Sequence, residues 1–510
     1  MSWITVTTFL PLVGVPVLLL GVRMRDDVAR AIGLVVTLAV FIVSLGMLGR
    51  FDGSQAGFQL VEQATWVRSL GMQYLVGLDG VGLWMVLLTT FLFPLSVLAS
   101  WKLEHNVRLF IAAMLVLETG VIGSFVALDL LLFFLFFEAI LFPMYLIIGG
   151  WGGDRRVYAA VKFFLFTMAG SALLLVAILF LYFRSGSGGL TPTFDVRDLT
   201  AVAHALPATT ARWLFLAFFV AFAVKVPIFP LHTWLPDAHT EAPTAGSVLL
   251  AGVLLKVGAF GLIRFNLALF PEASKYFATF VSVLAVIGIV YGAVVALIQT
   301  DLKRLVAYSS VSHLGFVVLG VFAFTTQGFT GGVLQMVNHG LSTGALFLLV
   351  GMVYERTHTR RLDEMGGLAS VTPWLAGAFL FTAFASAGLP GLNNFVGEFL
   401  VVLGSFAANR WFGSIAAVAV VLAAIYLLWS YQRMAYGEVR EEHRGLPDLS
   451  LREVAILAPI LSLLLVFGVY PKLVTDRVEL TTDTVLTAVS PDHPVESGPD
   501  PGTVAAGVAP

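Results

Sequence analysis

The chain has 510 residues, of which 58% are hydrophobic and 12% are charged, and it carries a formal net charge of −2 with no cysteine. The apolar residues come in blocks of about twenty, which is a membrane composition and argues against a soluble globular protein. The near-zero charge argues against a nucleic-acid surface. The missing cysteines exclude disulfides, thiolate-bound iron–sulfur clusters and thiol catalysis on this chain.

Taken in chain order, the apolar blocks predict an all-α polytopic membrane protein with about fourteen transmembrane helices. The first block is expected to be a retained helix, because no small-residue cleavage site follows it. The tail over 479–510, rich in Pro, Gly, Asp and Val, is predicted to be disordered. The blocks lie near 3–21, 28–48, 75–100, 108–127, 129–150, 160–183, 212–230, 245–268, 277–298, 302–322, 330–353, 371–408, 412–435 and 453–470.

The basic residues predict the orientation of these helices. An even number of spans puts both termini on one side of the membrane. Lys and Arg are more numerous in the loops of the opposite side, which begin with the turn over 23–30. The positive-inside rule therefore places both termini outside the cytoplasm. Lys225 and Lys256 belong to no loop, because they fall inside apolar blocks. Every other basic residue, including Arg264 and Lys303, is assigned to a loop or a helix end.

Two of the predicted spans are interrupted by proline and glycine. The block at 212–230 runs into Pro227 and Pro230, and the block at 371–408 is broken over 388–394. Proline and glycine remove backbone hydrogen bonds, and free backbone groups inside a membrane are tolerated only where protein or water satisfies them. Paired broken helices in the two halves of a chain indicate internal repeats with an ion path at the breaks.

Several ionisable side chains lie inside the predicted spans. An ionised side chain at the bilayer centre costs about 2.5–3.5 kcal/mol, so one without a function is unfavourable. A Glu–Lys pair lets each partner set the protonation of the other, and neutral His residues relay protons. These residues predict a proton path, and we call the six the ionisable row: Glu138, Lys225, Lys256, His313, His339 and Glu398.

The same residues have a structural interpretation, in which buried ion pairs only hold the helices together. Two lysines, two glutamates and two histidines on different spans are more than packing needs, so the proton path is favoured. Glu118 is left out of it, because its Thr-Gly neighbours suit a helix contact equally well. Asp79 lies near a helix start and is expected to cap that helix.

The segment over 232–241 places two histidines near acidic residues and could pass for a metal site. The spacing follows no zinc-like pattern and Pro236 interrupts it. An interfacial loop that closes a broken helix is therefore favoured over a metal site. Phosphate loops, nucleotide fingerprints and nucleophile triads are missing from the sequence, so no cofactor is expected on this chain.

Four motifs carry a resemblance that covers most of the spans and excludes the tail. They are KVPIFPLHTWLPDAHTEAPTAGS over 225–247 with LLKVGAFGLIR over 254–264, DLKRLVAYSSVSHLGF over 301–316, NHGLSTGALF over 338–347 and PGLNNFVGEF over 390–399. They resemble the antiporter-like subunits of bacterial NADH–quinone oxidoreductase, respiratory complex I. The sister subunits L and N carry a Lys at the terminal position, so Glu398 favours the subunit M family, chain 4 of the complex.

This resemblance implies two inverted five-helix repeats, each a proton half-channel with a discontinuous helix. Helices 1–3 would occupy 1–107, the first repeat 108–268, the second repeat 277–435 and the last helix 453–470. By resemblance, Glu138 pairs with Lys225, Lys256 is the central relay, His313 and then His339 continue it, and Glu398 ends it.

The implied function is proton translocation in a bacterial cell membrane, driven by electron transfer in other subunits. NADH, FMN, iron–sulfur clusters and quinone would belong to those subunits, and L-type and N-type subunits would be the neighbours in the lipid bilayer. Two alternatives stay open. One is a subunit of a multisubunit sodium/proton antiporter, and the other is a membrane scaffold with structural ion pairs.

Overall fold

The computed structural model describes residues 2–21, 24–187 and 191–490. Thirteen of the described helices are long and apolar enough to cross a membrane. Two shorter apolar helices, Pro373–Ser386 and Asn393–Ala408, follow one another across a break and supply a further crossing. The prediction of an all-α membrane protein with about fourteen spans is therefore confirmed.

The helices have the following bounds in chain order: α1 (Trp3–Leu20), α2 (Asp26–Leu48), α3 (Gly80–Ala99), α4 (Val107–Val126), α5 (Leu130–Trp151), α6 (Arg156–Ser185), α7 (Val196–His204), α8 (Ala208–Lys225), α9 (Trp234–Glu241), α10 (Thr244–Leu267), α11 (Pro271–Leu297), α12 (Leu302–Phe322), α13 (Thr326–Thr357), α14 (Leu368–Val371), α15 (Pro373–Ser386), α16 (Asn393–Ala408), α17 (Arg410–Ala435), α18 (Leu451–Val469) and α19 (Lys472–Val489). Short 3₁₀ turns lie at Arg68–Leu70, Leu362–Glu364 and Glu441–His443.

Both helix breaks lie where proline and glycine predict them. Helix α8 ends at Lys225 and the chain becomes helical again at Trp234, whose indole Nε1 donates to the Val224 carbonyl at 2.9 Å. The expectation of an interfacial loop over 232–241 is wrong, because Trp234–Glu241 forms helix α9. Pro236 is in the first turn of this helix, where its missing N–H removes no intrahelical hydrogen bond. Helix α15 ends at Ser386 and α16 begins at Asn393, so the second break covers residues 387–392.

The spans that carry Lys256, His339 and His313 are the most deeply buried ones. Helices α10 and α13 are buried along their whole apolar length, and α12 nearly so, whereas α1, α2, α17 and α18 bury about a third of theirs. Helix α10 contains two π-helical segments, Leu250–Leu254 and Leu262–Leu267, on either side of Lys256. Such π-helical turns occur frequently at functional sites.

A β-hairpin that the sequence analysis missed precedes α3. Its antiparallel strands β1 (Gln59–Val67) and β2 (Met72–Leu78) are joined through the short 3₁₀ turn. The hairpin follows the second span and α19 follows the last one, so both lie on the side of the termini. The Thr481 hydroxyl of α19 accepts from the Gly80 N–H of α3 at 3.2 Å.

The predicted disorder of the tail is wrong for residues 479–489, which belong to α19. This helix buries one side, with apolar residues at helical spacing from Val474 through Val478 and Leu486 to Val489. Helix α19 has a polar side that is rich in Thr and Asp, as an amphipathic surface helix can have. Its composition therefore resembles that of a disordered tail. Residues 491–510 lie outside the described residues.

Asp79 caps α3, as expected, by accepting from the Gly82 N–H at 2.7 Å. It also lies 2.7 Å from the Arg264 guanidinium of α10, and both side chains are almost fully buried. The sequence analysis assigned Arg264 to a loop, but it lies in the last turns of the buried α10. This ion pair fixes α3 against α10 on the side of the hairpin.

Replacing Asp79 by Asn should destabilise the protein by about 3–5 kcal/mol, because Asn keeps a capping oxygen but leaves Arg264 buried without its counter-charge. The measurement is the thermal unfolding midpoint of the purified protein in detergent, followed by tryptophan fluorescence. Adding Arg264→Met to Asp79→Asn should restore most of the lost stability. An Asp79→Asn variant that unfolds at the wild-type temperature contradicts this account of the ion pair.

Candidate functional site

The central contact of the site joins Lys256 on α10 to His339 on α13. Both side chains are fully buried, and Lys256 Nζ lies 2.6 Å from His339 Nδ1. The ammonium also donates to the carbonyl of Ala251, in the first π-helical segment. An ammonium only donates, so His339 Nδ1 is the acceptor when Lys256 is charged. The imidazole proton then lies on Nε2, which has no hydrogen-bond partner.

His313 on α12 comes next, with its ring centroid 5.8 Å from that of His339. A single water or a ring rotation can bridge this separation. On the other side His313 Nδ1 lies 2.8 Å from Glu398 Oε1, which also accepts from Gln335 Nε2 at 3.0 Å. The Tyr426 hydroxyl lies 3.3 Å from His313 Nε2. All five side chains are buried.

Four of the six predicted residues therefore form one buried series that runs from Lys256 through His339 and His313 to Glu398. The predicted order of the histidines is wrong, because His339 contacts Lys256 and His313 contacts Glu398. The order of the two histidines in the sequence does not give their order in space, because that order depends on how α12 and α13 pack against each other. We keep the name buried series for these four residues.

The second helix break positions the end of the series. Asn338 Nδ2 donates to the Asn393 carbonyl at 2.7 Å, and Asn393 Nδ2 donates back to the Asn338 carbonyl at 3.1 Å. These two reciprocal bonds hold the start of α16 against α13 beside the break. Gly388 has a φ of +75°, and a Cβ there would approach Glu398 Oε2 to 3.1 Å. Glycine is therefore the residue that fits position 388, both in its backbone conformation and beside the Glu398 carboxylate.

Glu138 and Lys225 are close but make no direct ion pair. Lys225 is buried, and its Nζ lies 4.6 Å from the ring centroid of Phe137, a cation–π distance. The neighbouring Glu138 is half-buried and near enough to interact electrostatically with Lys225. One Glu138 carboxylate oxygen is buried without a hydrogen-bond partner. Glu138 and Lys225 thus interact electrostatically without direct contact, and they are not part of the buried series.

Two further buried titratable residues, His239 and Lys303, are not part of the predicted proton path. His239 on α9 is fully buried and stacked on the Phe347 ring at 4.6 Å, within electrostatic reach of Lys256 and Lys303. Lys303 was assigned to a loop, but it is buried in the first turn of α12 and donates to the Ala242 carbonyl. Lys303 is not predicted as part of the proton path because it lies at a helix end, whereas the prediction selects charges inside apolar blocks.

Within the part of the chain that the structure describes, no three His, Cys, Asp or Glu side chains gather as metal ligands. In the segment over 232–241, Asp237 pairs with Lys162 at 2.7 Å and Glu241 accepts from the Arg155 N–H at 3.0 Å. These acidic side chains thus fasten α9 to the neighbouring α6. The site is a set of buried titratable groups.

Comparison with known proteins identifies the family of this chain. The family model described as "NADH:quinone oxidoreductase/Mrp antiporter, TM" matches residues 127–423. The chain belongs to this family. It is 47% identical to NADH-quinone oxidoreductase subunit M of Rhodobacter capsulatus, over 93% of this chain and 94% of the relative. It is 39% identical to subunit M of Mycobacterium tuberculosis, over 97% and 96%. The resemblance to the subunit M family is confirmed.

Solved structures give the same fold. A chain of respiratory complex I from Thermus thermophilus with bound NADH matches with a TM-score of 0.86 and 35% identity, over 96% of this chain and 100% of that one. A chain of the Mrp complex from Dietzia matches with a TM-score of 0.82 at 20% identity, over 96% and 98%. At that identity the Mrp likeness concerns the fold alone.

Replacing Gly388 by Ala should lower stability by about 1–2 kcal/mol, because an L-residue is strained in the left-handed region. The added methyl would also press on the Glu398 carboxylate. Gly377→Ala on α15 is the matched control, since a Cβ there meets no atom within 4 Å and alanine favours a helix. Thermal unfolding of the purified variants checks this. Equal midpoints for Gly388→Ala and Gly377→Ala would contradict it.

Proposed function

We propose that this chain is a proton-translocating subunit of the membrane arm of an NADH–quinone oxidoreductase. The observation that carries the proposal is the buried series, in which Lys256, His339, His313 and Glu398 follow one another at hydrogen-bond or near-contact distance. Packing alone does not need four titratable groups in one file, and their unpaired ring and carboxylate atoms leave room for protonation changes. The subunit M relatives support the assignment to complex I.

Protons move along the series by exchange at named atoms. The Lys256 ammonium transfers a proton to His339 Nδ1, which leaves a neutral amine and an imidazolium. His339 then releases its Nε2 proton toward His313. His313 Nδ1 passes a proton to Glu398 Oε1, and Gln335 stabilises the carboxylate whenever it is ionised. Each acceptor is a neutral imidazole or a carboxylate, so no step requires two adjacent charges of the same sign.

Lys303 and His239 connect Lys256 to the side of the membrane where α12 begins. Lys303 is within electrostatic reach of Asp301 and Arg360, and His239 is within electrostatic reach of both Lys303 and Lys256. With both termini outside the cytoplasm, as the basic loops predict, this side is cytoplasmic. Protons would then reach Lys256 from the cytoplasm through these two residues.

The pair of Glu138 and Lys225 would act as the switch of the first half-channel. Because they interact without direct contact, a small approach or separation changes the electrostatic support that each gives to the charged form of the other. By this proposal, residues 108–268 and 277–435 form the two inverted repeats, with Lys256 between them. L-type and N-type subunits are the neighbours in a bacterial cell membrane. NADH, FMN, iron–sulfur clusters and quinone act in other subunits, and this chain carries no redox centre.

Copurification separates this function from sodium/proton antiport. The intact complex should copurify with flavin and iron–sulfur proteins, and proton movement should require NADH. Copurification with antiporter subunits only, and proton movement without NADH, would overturn the proposal in favour of antiport.

Lys256→Ala should lower NADH-driven proton uptake into inverted vesicles about tenfold or more, because it removes the first proton donor of the buried series. Lys102→Ala is the matched control. Lys102 is an exposed loop lysine paired with Glu355 at 2.8 Å, so its loss should leave uptake unchanged. Proton uptake is normalised to the amount of assembled complex. Wild-type uptake in an assembled Lys256→Ala complex contradicts the proposed path.

Lys225→Ala and Glu138→Ala should each lower NADH-driven pumping several-fold, because each removes one partner of the electrostatic switch. Proton uptake and NADH oxidation are measured on the same vesicles. The idea of a switch is refuted if both variants assemble and pump normally.

A further inference from the structure

Glu118 is a buried carboxyl group that the ionisable row does not use. It lies near the centre of α4 with no exposed surface, and neither carboxylate oxygen has a hydrogen-bond partner. A helix contact alone does not account for it, since a contact through Thr and Gly needs no carboxylate. Burying an ionised carboxylate without hydrogen-bond donors is very unfavourable, so Glu118 holds its proton in this arrangement.

Helix α3 gives the depth of Glu118 in the membrane relative to Lys256. Helices α4 and α10 both run opposite to α3. Gly82 of α3 packs against the Phe125 carbonyl of α4, so Glu118, seven residues before Phe125, lies level with Thr89. In the same way Leu92 packs against Gly252 of α10, so Lys256, four residues after Gly252, lies level with Leu88.

Glu118 and Lys256 are therefore at the same depth to within about one residue, roughly 1.5 Å of helix rise. A third contact agrees with this depth. Leu88 packs against Gly340, the residue after His339, and His339 is the partner of Lys256.

The two side chains also share a helix interface. Helix α4 packs against residues 255–261 of α10, and the rings of Phe125 and Phe260 meet edge to face at 5.2 Å. Glu118 is two turns from Phe125 and so on the same face of α4. Lys256 is four residues from Phe260 and on nearly the same face of α10. A protonated acid thus stands at the depth of Lys256, on the side of α10 that faces α4.

We infer that Glu118 is a proton store for Lys256, an inference that rests on the proposed function. When Lys256 has passed a proton to His339 and His339 has released one toward His313, the neutral Lys256 amine takes the Glu118 proton. The products are a carboxylate and an ammonium, which stabilise each other in the low-dielectric interior. The carboxylate then accepts the next proton that reaches Lys256, and the acid is restored. The proton store keeps Lys256 protonated while the other residues of the path exchange protons with the two sides of the membrane.

Glu118→Gln tests this, because Gln keeps the volume and neutrality of the protonated acid but cannot release a proton. NADH-driven proton uptake per assembled complex should fall several-fold, and Glu118→Asp should recover part of it. Thr119→Val is the matched control, since Thr119 is the next residue and its buried hydroxyl also lacks a partner. Thr119→Val should pump normally. Wild-type uptake in Glu118→Gln overturns the proton store.

Infrared difference spectra of NADH-driven turnover give a second readout that a structural role would not change. The carbonyl band of a protonated carboxylic acid should decrease during turnover in the wild type, and this change should be missing in Glu118→Gln. If Lys256→Ala abolishes pumping while Glu118→Gln changes neither readout, only the proton store fails. If neither variant affects pumping, the proposed function itself fails.

Discussion

The contact between Lys256 and His339 is the interaction on which the rest of the structure depends. A lysine in the middle of a membrane bundle is stable only if protein groups replace the water that its ammonium would bind. Here an imidazole nitrogen at 2.6 Å and a carbonyl of a π-helical turn provide that replacement. Both helices must be buried along their whole length to keep lipid away, and the other spans surround them.

The two helix breaks follow from the same constraint. Each break frees backbone groups that lipid cannot bind, and each is satisfied by a side chain from a neighbouring segment. Trp234 bonds the Val224 carbonyl that the first break frees, and the Asn394 amide bonds the Ser386 carbonyl that the second break frees. Lys225 ends the helix before the first break and Glu398 lies in the helix that begins after the second, so two members of the ionisable row border the breaks.

The sequence predicts what depends on local composition. Lys225 and Lys256 stand out because apolar residues surround them, and proline and glycine mark the breaks. What depends on distant contacts is not predictable in this way. The order of His339 and His313 follows from how α12 and α13 pack, and Arg264 and Lys303 looked like loop residues because they lie near helix ends. The helix α19 was missed because its burial comes from a single apolar side that packs on α3.

The most direct test of a single path is a double-mutant cycle between Lys256 and Glu398, the two ends of the buried series. NADH-driven proton uptake is measured for the wild type, Lys256→Ala, Glu398→Gln and the double variant in the same vesicle preparation. Residues that act in one path are non-additive, so the double variant should pump no worse than the poorer single variant. Fold losses that multiply in the double variant would show two independent paths and would contradict the series.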